Sequence, residues 1–331
     1  MRRSGQKPVG EVILSLYTPP DSLSPQKPKR SYTVLIGLAL FGVFVQIPLL
    51  IAAFWLIGSG SAKGGKDTDS FGNDGYAADG RGSRRHPADT ASTDTHPAAL
   101  SVDKPTGVVI EARADPTIFP ADWRSDDSTQ AVPIRTTEIP RATRLMQKAL
   151  RRYPPTFIQK NLGHIYLVSD LTLESTGASG TCAGRAVYVA DDGKENDYDD
   201  DFLKGTLHHE LAHLLFSNYA ANFDADKWQA LNPPGFEYGS GSTNAIKDGK
   251  DSEDLEPVLL NKGFVCQYAT SELEEDFVCT AGQLMLDKTQ FWHEVDHYPI
   301  MKKKVEIVVA FYHKIIPGFT EDYLRRNASD N

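Results

Sequence analysis

His-His-Glu-Leu-Ala-His, residues 208–213, places His209, Glu210 and His213 in the order H-E-x-x-H within an apolar run. On a helix, residues i and i+4 share a face, so the two imidazoles can grip one metal ion. Glu210, one position after the first histidine, is then set to take a proton from water at that ion. The surroundings predict a helix over about residues 202–218. Phe202, Leu203, Leu207, Leu211, Leu214 and Leu215 supply its apolar stripe, and Asp197, Asp199, Asp200 and Asp201 precede it, as suits a helix N-terminus. The spacing of the acidic run 191–201 does not match a calcium-binding EF-hand loop, so it reads as a solvated lead-in to the helix. A glutamate buried in an apolar helix without a task would be costly, which favours the metal reading.

Residues 293–297, His-Glu-Val-Asp-His, repeat the bare pattern. Their context differs: Asp296 is charged where a metal helix packs inward, and Pro299 disfavours continuing a helix. The second copy reads as a loop or helix-terminal segment that holds no metal.

The chain has 331 residues and a formal net charge of −9, opposite in sign to a nucleic-acid footprint. Its three cysteines, Cys182, Cys266 and Cys279, lack the C-x-x-C spacing of a thiolate zinc site; Cys266 and Cys279 are the nearest pair for a disulfide. Residues 34–57 are almost wholly apolar, long enough to cross the hydrocarbon core, which needs about 20 residues in a helix. That length exceeds the core of a cleaved signal peptide, about 7–15 residues. Arg2, Arg3, Lys7, Lys27, Lys29 and Arg30 lie before it, so the positive-inside rule leaves the N-terminus in the cytoplasm. The expected organisation is a cytoplasmic basic tail at 1–31, a transmembrane signal anchor at 32–57, a disordered linker at 58–104 and a folded domain at 105–331, outside the cytoplasm. The linker has almost no large apolar groups with which to offset its ordering entropy.

Within the domain, Val108-Val109-Ile110 reads as a first strand, 141–152 as an amphipathic helix, and 165–168 and 186–190 as strands flanking a glycine-rich turn at 177–184. The polar stretch 221–262 reads as a surface loop rimming a cleft, and helices follow at about 271–288 and 301–315. The order, a small sheet ahead of the metal helix and helices after it, gives an α+β class.

A catalytic zinc takes three protein ligands and leaves one position for water. A third histidine six residues after His213 is absent, because position 219 is tyrosine. A carboxylate from 268–278 is the alternative, with Ser271 as helix cap and Glu274, Glu275 and Asp276 in the first turn.

An H-E-x-x-H helix followed by Tyr268, seven residues before Glu275, resembles the gluzincin metallopeptidases. More narrowly, residues 140–315 are similar in element order to the zinc-binding metallopeptidases of secreted or anchored bacterial proteins and to the catalytic domain of anthrax lethal factor. The resemblance implies a zincin-like domain with one Zn2+ per chain on His209, His213 and Glu275. It implies Tyr268 as the residue whose hydroxyl faces the oxyanion; read without it, Tyr268 is equally a buried aromatic with a satisfied hydroxyl. Glu274 is the rival to Glu275. The related pattern has a second glutamate four residues after the ligand, where this chain has Cys279, leaving Asp276 as a candidate partner for a histidine. The expected function is that of a membrane-anchored zinc metallopeptidase acting on peptide or protein substrates, with Glu210 as general base. The alternative is a catalytically impaired zinc-containing binding module at the cell surface.

Overall fold

The computed structural model describes residues 99–328, apart from 126, 127, 240 and 287. The tail, the apolar stretch 34–57 and the linker as far as residue 98 lie outside the described residues. Among the described residues no helix is long and apolar enough to cross a membrane.

The fold is a mixed sheet carrying helices. Its strands are β1 (Ala99–Val102), β2 (Val109–Ala112), β3 (Gln130–Pro133), β4 (His164–Leu173), β5 (Thr176–Ala178), β6 (Gly180–Ala183) and β7 (Ala186–Ala190). Helices α1 (Ile139–Leu150) and α2 (Pro155–Asn161) lie between β3 and β4. After the sheet come α3 (Asp200–Tyr219), the short α4 (Ala225–Gln229), α5 (Ser242–Lys247) and α6 (Pro257–Leu260), then α7 (Leu273–Leu286), α8 (Thr289–His297), α9 (Pro299–Ile315) and α10 (Glu321–Arg326).

The main strand order is β1-β2-β4-β7-β6, with β3 and β5 also paired to β4. Strands β2, β4 and β7 are parallel, whereas β6 returns antiparallel along β7, Cys182 opposite Val187. Alternation along the central strands divides their side chains between two apolar clusters. Ile165, Leu167, Val187 and Val189 join the large core beneath the helices. Tyr166, Val168, Tyr188 and Ala190 face Ile118, Phe119 and Trp123 on the other side.

Helix α3 begins at Asp199, whose side chain accepts from the amides of Asp201 and Phe202, with Asp200 and Asp201 in the first turn. This satisfies amides that have no partner inside the helix and sets negative charge against the positive end of its dipole. The helix packs on β6, β7 and α1, and most extensively on α7. A Cβ on Gly282 would meet the backbone nitrogen of His209 at 3.4 Å, so the two helices cross closely at the first histidine.

Several expectations need correction. The last residues of the expected linker form β1, which pairs with β2 from Ala99 opposite Ala112 to Val102 opposite Val109. An edge strand is held by its backbone ladder and does not need an apolar sequence. The glycine-rich turn carries β5 and β6. The stretch 221–262 is more than a surface loop: it includes α4–α6 and the fully buried Trp228. Helices of four to six residues are too short to show a period in sequence. The second H-E-x-x-H copy is helix-terminal, one of the two forms expected, and closes α8 at His297; Pro299 starts α9, because a first-turn proline gives up an amide that has no helical partner anyway. His293 points to solvent and Asp296 pairs with Arg325.

One ionic pair holds the helical layer together. Lys304 on α9 is fully buried, and its Nζ donates to Asp276 Oδ2 on α7 at 2.5 Å. The same oxygen accepts from Trp228 Nε1 (2.9 Å) and the Tyr238 hydroxyl (2.7 Å), and Lys304 sits over the Phe264 and Trp228 rings at 4.2 and 4.8 Å. Burial pushes the Asp276 carboxyl up and the Lys304 amine down, and their attraction opposes both shifts. Lys304→Met leaves a buried carboxylate without its cation, so urea denaturation should show a loss of about 3–5 kcal/mol. Lys304→Met combined with Asp276→Asn should lose clearly less; equal losses would contradict this account of the pair.

Candidate metal centre

His209 and His213 project from one face of α3 with ring centroids 5.0 Å apart. Glu275, in the first turn of α7, brings Oε2 to 3.3 Å from His209 Nε2 and 3.4 Å from His213 Nε2. These three residues offer ligand atoms that all lie within 4.8 Å of one another.

The far side of each ring fixes what its Nε2 can do. His213 Nδ1 lies 2.8 Å from Glu274 Oε1, so Nδ1 carries the proton and the Nε2 lone pair faces Glu275. A lone pair aimed at a carboxylate oxygen is repulsive unless a cation or a proton stands between them. Glu275 Oε2 is buried and makes no hydrogen bond of its own. Two imidazole nitrogens and one carboxylate oxygen are also the donor set of a catalytic zinc site, so the residues fit that ion.

Charge follows this arrangement. Burial would push Glu275 up, but His213 and His209 override it and hold the carboxyl well below its usual range. Burial would lower both histidines; Glu275, joined at His213 by Glu274, raises them instead. Acid therefore competes with a metal for the same nitrogens. Glu210 is buried beside them, and loss of hydration pushes its carboxyl up. Strand β6 comes directly against it: a Cβ on Gly180 would meet Thr206 Cγ2 at 2.7 Å and Glu210 Cγ at 2.9 Å. Glycine is needed there for strand and base to share the space.

The structure brings four of the sequence-derived residues, His209, Glu210, His213 and Glu275, into one cluster, and Tyr268 borders it. The Tyr268 ring lies 6.1 Å from that of His209, and its hydroxyl donates to Glu275 Oε1 at 3.3 Å. Ser271 does not cap α7: its hydroxyl donates to the Tyr268 carbonyl at 2.7 Å, bracing the turn that presents the tyrosine. Asp276 orients no histidine, since its hydrogen bonds go to Trp228, Tyr238 and Lys304. The orienting carboxylate is Glu274, which the sequence offered only as a rival ligand. Cys279 does meet a histidine, with Sγ 3.9 Å from His209 Nδ1. Its thiol is raised by burial and by the neighbouring Cys266, and all three cysteines are free. His208 points away from the metal face, its Nδ1 3.1 Å from the Tyr153 hydroxyl, and burial lowers it to about 3.

Residues 180–316 match the model of a family described as "Putative zinc-binding metallo-peptidase". That segment runs from β6 through α9 and contains every residue of the cluster. Among solved structures, the crystal structure of a "putative zinc-binding metallo-peptidase" from Bacteroides caccae is 18% identical, covering 68% of this chain and 85% of that one, with a TM-score of 0.45. No curated protein matches.

The two glutamates should separate in metal titrations. Glu275→Gln should abolish tight zinc binding, whereas Glu274→Gln should weaken it by about 10–100-fold through His213. Equal losses in competition with a chelator would contradict the assignment of ligand and orienting partner.

Proposed function

We propose that this protein is a membrane-anchored zinc metallopeptidase of the gluzincin type, hydrolysing peptide bonds outside the cytoplasm. The observation that carries the reading is the meeting of Glu275 Oε2 with the two Nε2 atoms of α3, with the buried carboxylate of Glu210 in the same turn. A purely structural metal site has no use for a base beside its ligands.

Zinc in this site would be held by His209, His213 and Glu275, and would supply Lewis acidity that lowers the pKa of water to about 7. Glu210 accepts a proton from the attacking water at its carboxylate and later returns it to the leaving amine. Burial suits it to both steps, because a carboxyl raised from its usual value accepts and releases a proton closer to neutral pH. Glu274 keeps His213 in the tautomer whose Nε2 is a ligand. Tyr268, hydrogen-bonded to Glu275, stands at the edge of the site, where its hydroxyl can turn to the developing oxyanion. Anchoring rests on the apolar stretch 34–57 and on the cluster of basic residues before it.

The second reading, a zinc-containing module that binds without cleaving, is favoured by Cys279, which sets a neutral thiol where the related pattern has a carboxylate. The two readings part at Glu210→Gln. The enzyme reading expects this variant to bind one zinc as tightly as the unaltered protein and to lose peptide cleavage by about a hundredfold or more. Zinc binding by both proteins with no cleavage of peptides or cell-surface proteins by either would overturn it.

A further inference from the structure

We infer that Glu253 is a positioning residue for the metal centre, supplying from the segment 248–256 the acidic partner that His209 lacks on α7. The inference deepens the zinc reading above and rests on it.

The two histidines are served unequally. His213 Nδ1 has a carboxylate at 2.8 Å, from the residue just before the ligand Glu275. His209 Nδ1 has on α7 only the Cys279 sulfur at 3.9 Å, and a thiol is a weak acceptor even at close range. An imidazole so placed is poorly fixed in the tautomer that leaves Nε2 for the metal.

A cavity of about 20 Å³ is lined by His209, by the Cys279 that meets its Nδ1, and by Cys266 and Glu253 among others. Such a volume holds about one water, enough to bridge a ring N–H to a carboxylate. The segment that brings Glu253 is tied to the site by its backbone: the carbonyl of Ser252 accepts from the amide of Tyr268 at 3.1 Å. The residue next to Glu253 is thus bonded to the tyrosine that borders the metal cluster. A carboxylate reached through one water fixes the Nδ1–H tautomer and makes Nε2 a better donor, as Glu274 does directly for His213.

The test is zinc affinity of the full chain, by competition with a chelator at fixed pH, together with the thermal midpoint of the zinc-free protein. Glu253→Gln should weaken zinc by about tenfold or more and leave the zinc-free midpoint unchanged. Adding Cys279→Asp, which restores a carboxylate on α7 at nearly the volume of cysteine, should recover most of that affinity. Unchanged zinc affinity in Glu253→Gln, with the unaltered protein binding zinc, would overturn the inference and leave the metal site standing. A zinc-free midpoint that falls with the affinity would overturn it too, since Glu253 would then be holding the fold. If the unaltered protein bound no zinc, both the site and the inference would fall.

Discussion

The close crossing of α3 and α7 is the constraint on which the site depends. At Gly282 no side chain separates α7 from the backbone of His209, and this brings the first turn of α7 level with both histidines. Glu275 then meets two Nε2 atoms at once, and Glu274, one residue earlier, reaches around to Nδ1 of His213. Adjacent residues on a helix differ by about 100° in direction, so two neighbouring carboxylates can serve inner and outer roles on one metal site. Asp276, the next residue, points back into the core and is held by Lys304, Trp228 and Tyr238. Three consecutive acidic residues therefore do three different things.

The pair of Asp276 and Lys304 explains how so many charges can sit near one another. A buried carboxylate is tolerated when a cation and further donors satisfy it, and Asp276 has all three kinds of donor on a single oxygen. Glu275 needs a cation or a proton between its Oε2 and the imidazoles it faces, and Glu274 is held by His213. Glu210 lies beside both histidines, and burial pushes its carboxyl up, as it does that of Asp276. Gly180 leaves room for Glu210 under the edge of the sheet.

Much of this was legible in the sequence because the signals were long and periodic. The 20-residue α3 carried its ligands, its acidic cap and its apolar run together, and strand β7 appeared with the expected bounds. The sequence was silent where a role depends on partners far along the chain. Glu274 became an orienting residue only because α7 lies against His213. Lys304 sits in a run of three lysines that reads as solvated, yet Met301, Lys304, Val305 and Val308 recur at helical spacing and place it on the buried face. The stretch 221–262 hid Trp228 and Tyr238 because its helices are only one or two turns long. The second H-E-x-x-H copy shows the converse: it is helical, but among the described residues its histidines join no group that could hold a metal.

The central claim is that two imidazoles and one carboxylate hold the metal, with the Cys266 and Cys279 thiols close by but outside the ligand set. X-ray absorption at the zinc edge of the zinc-loaded full chain tests it most directly. The account predicts only nitrogen and oxygen neighbours, with two imidazoles at about 2.0–2.1 Å and a carboxylate oxygen at about 2.0–2.2 Å. A sulfur neighbour at about 2.3 Å would contradict it, placing a cysteine on the metal and His209 or Glu275 off it.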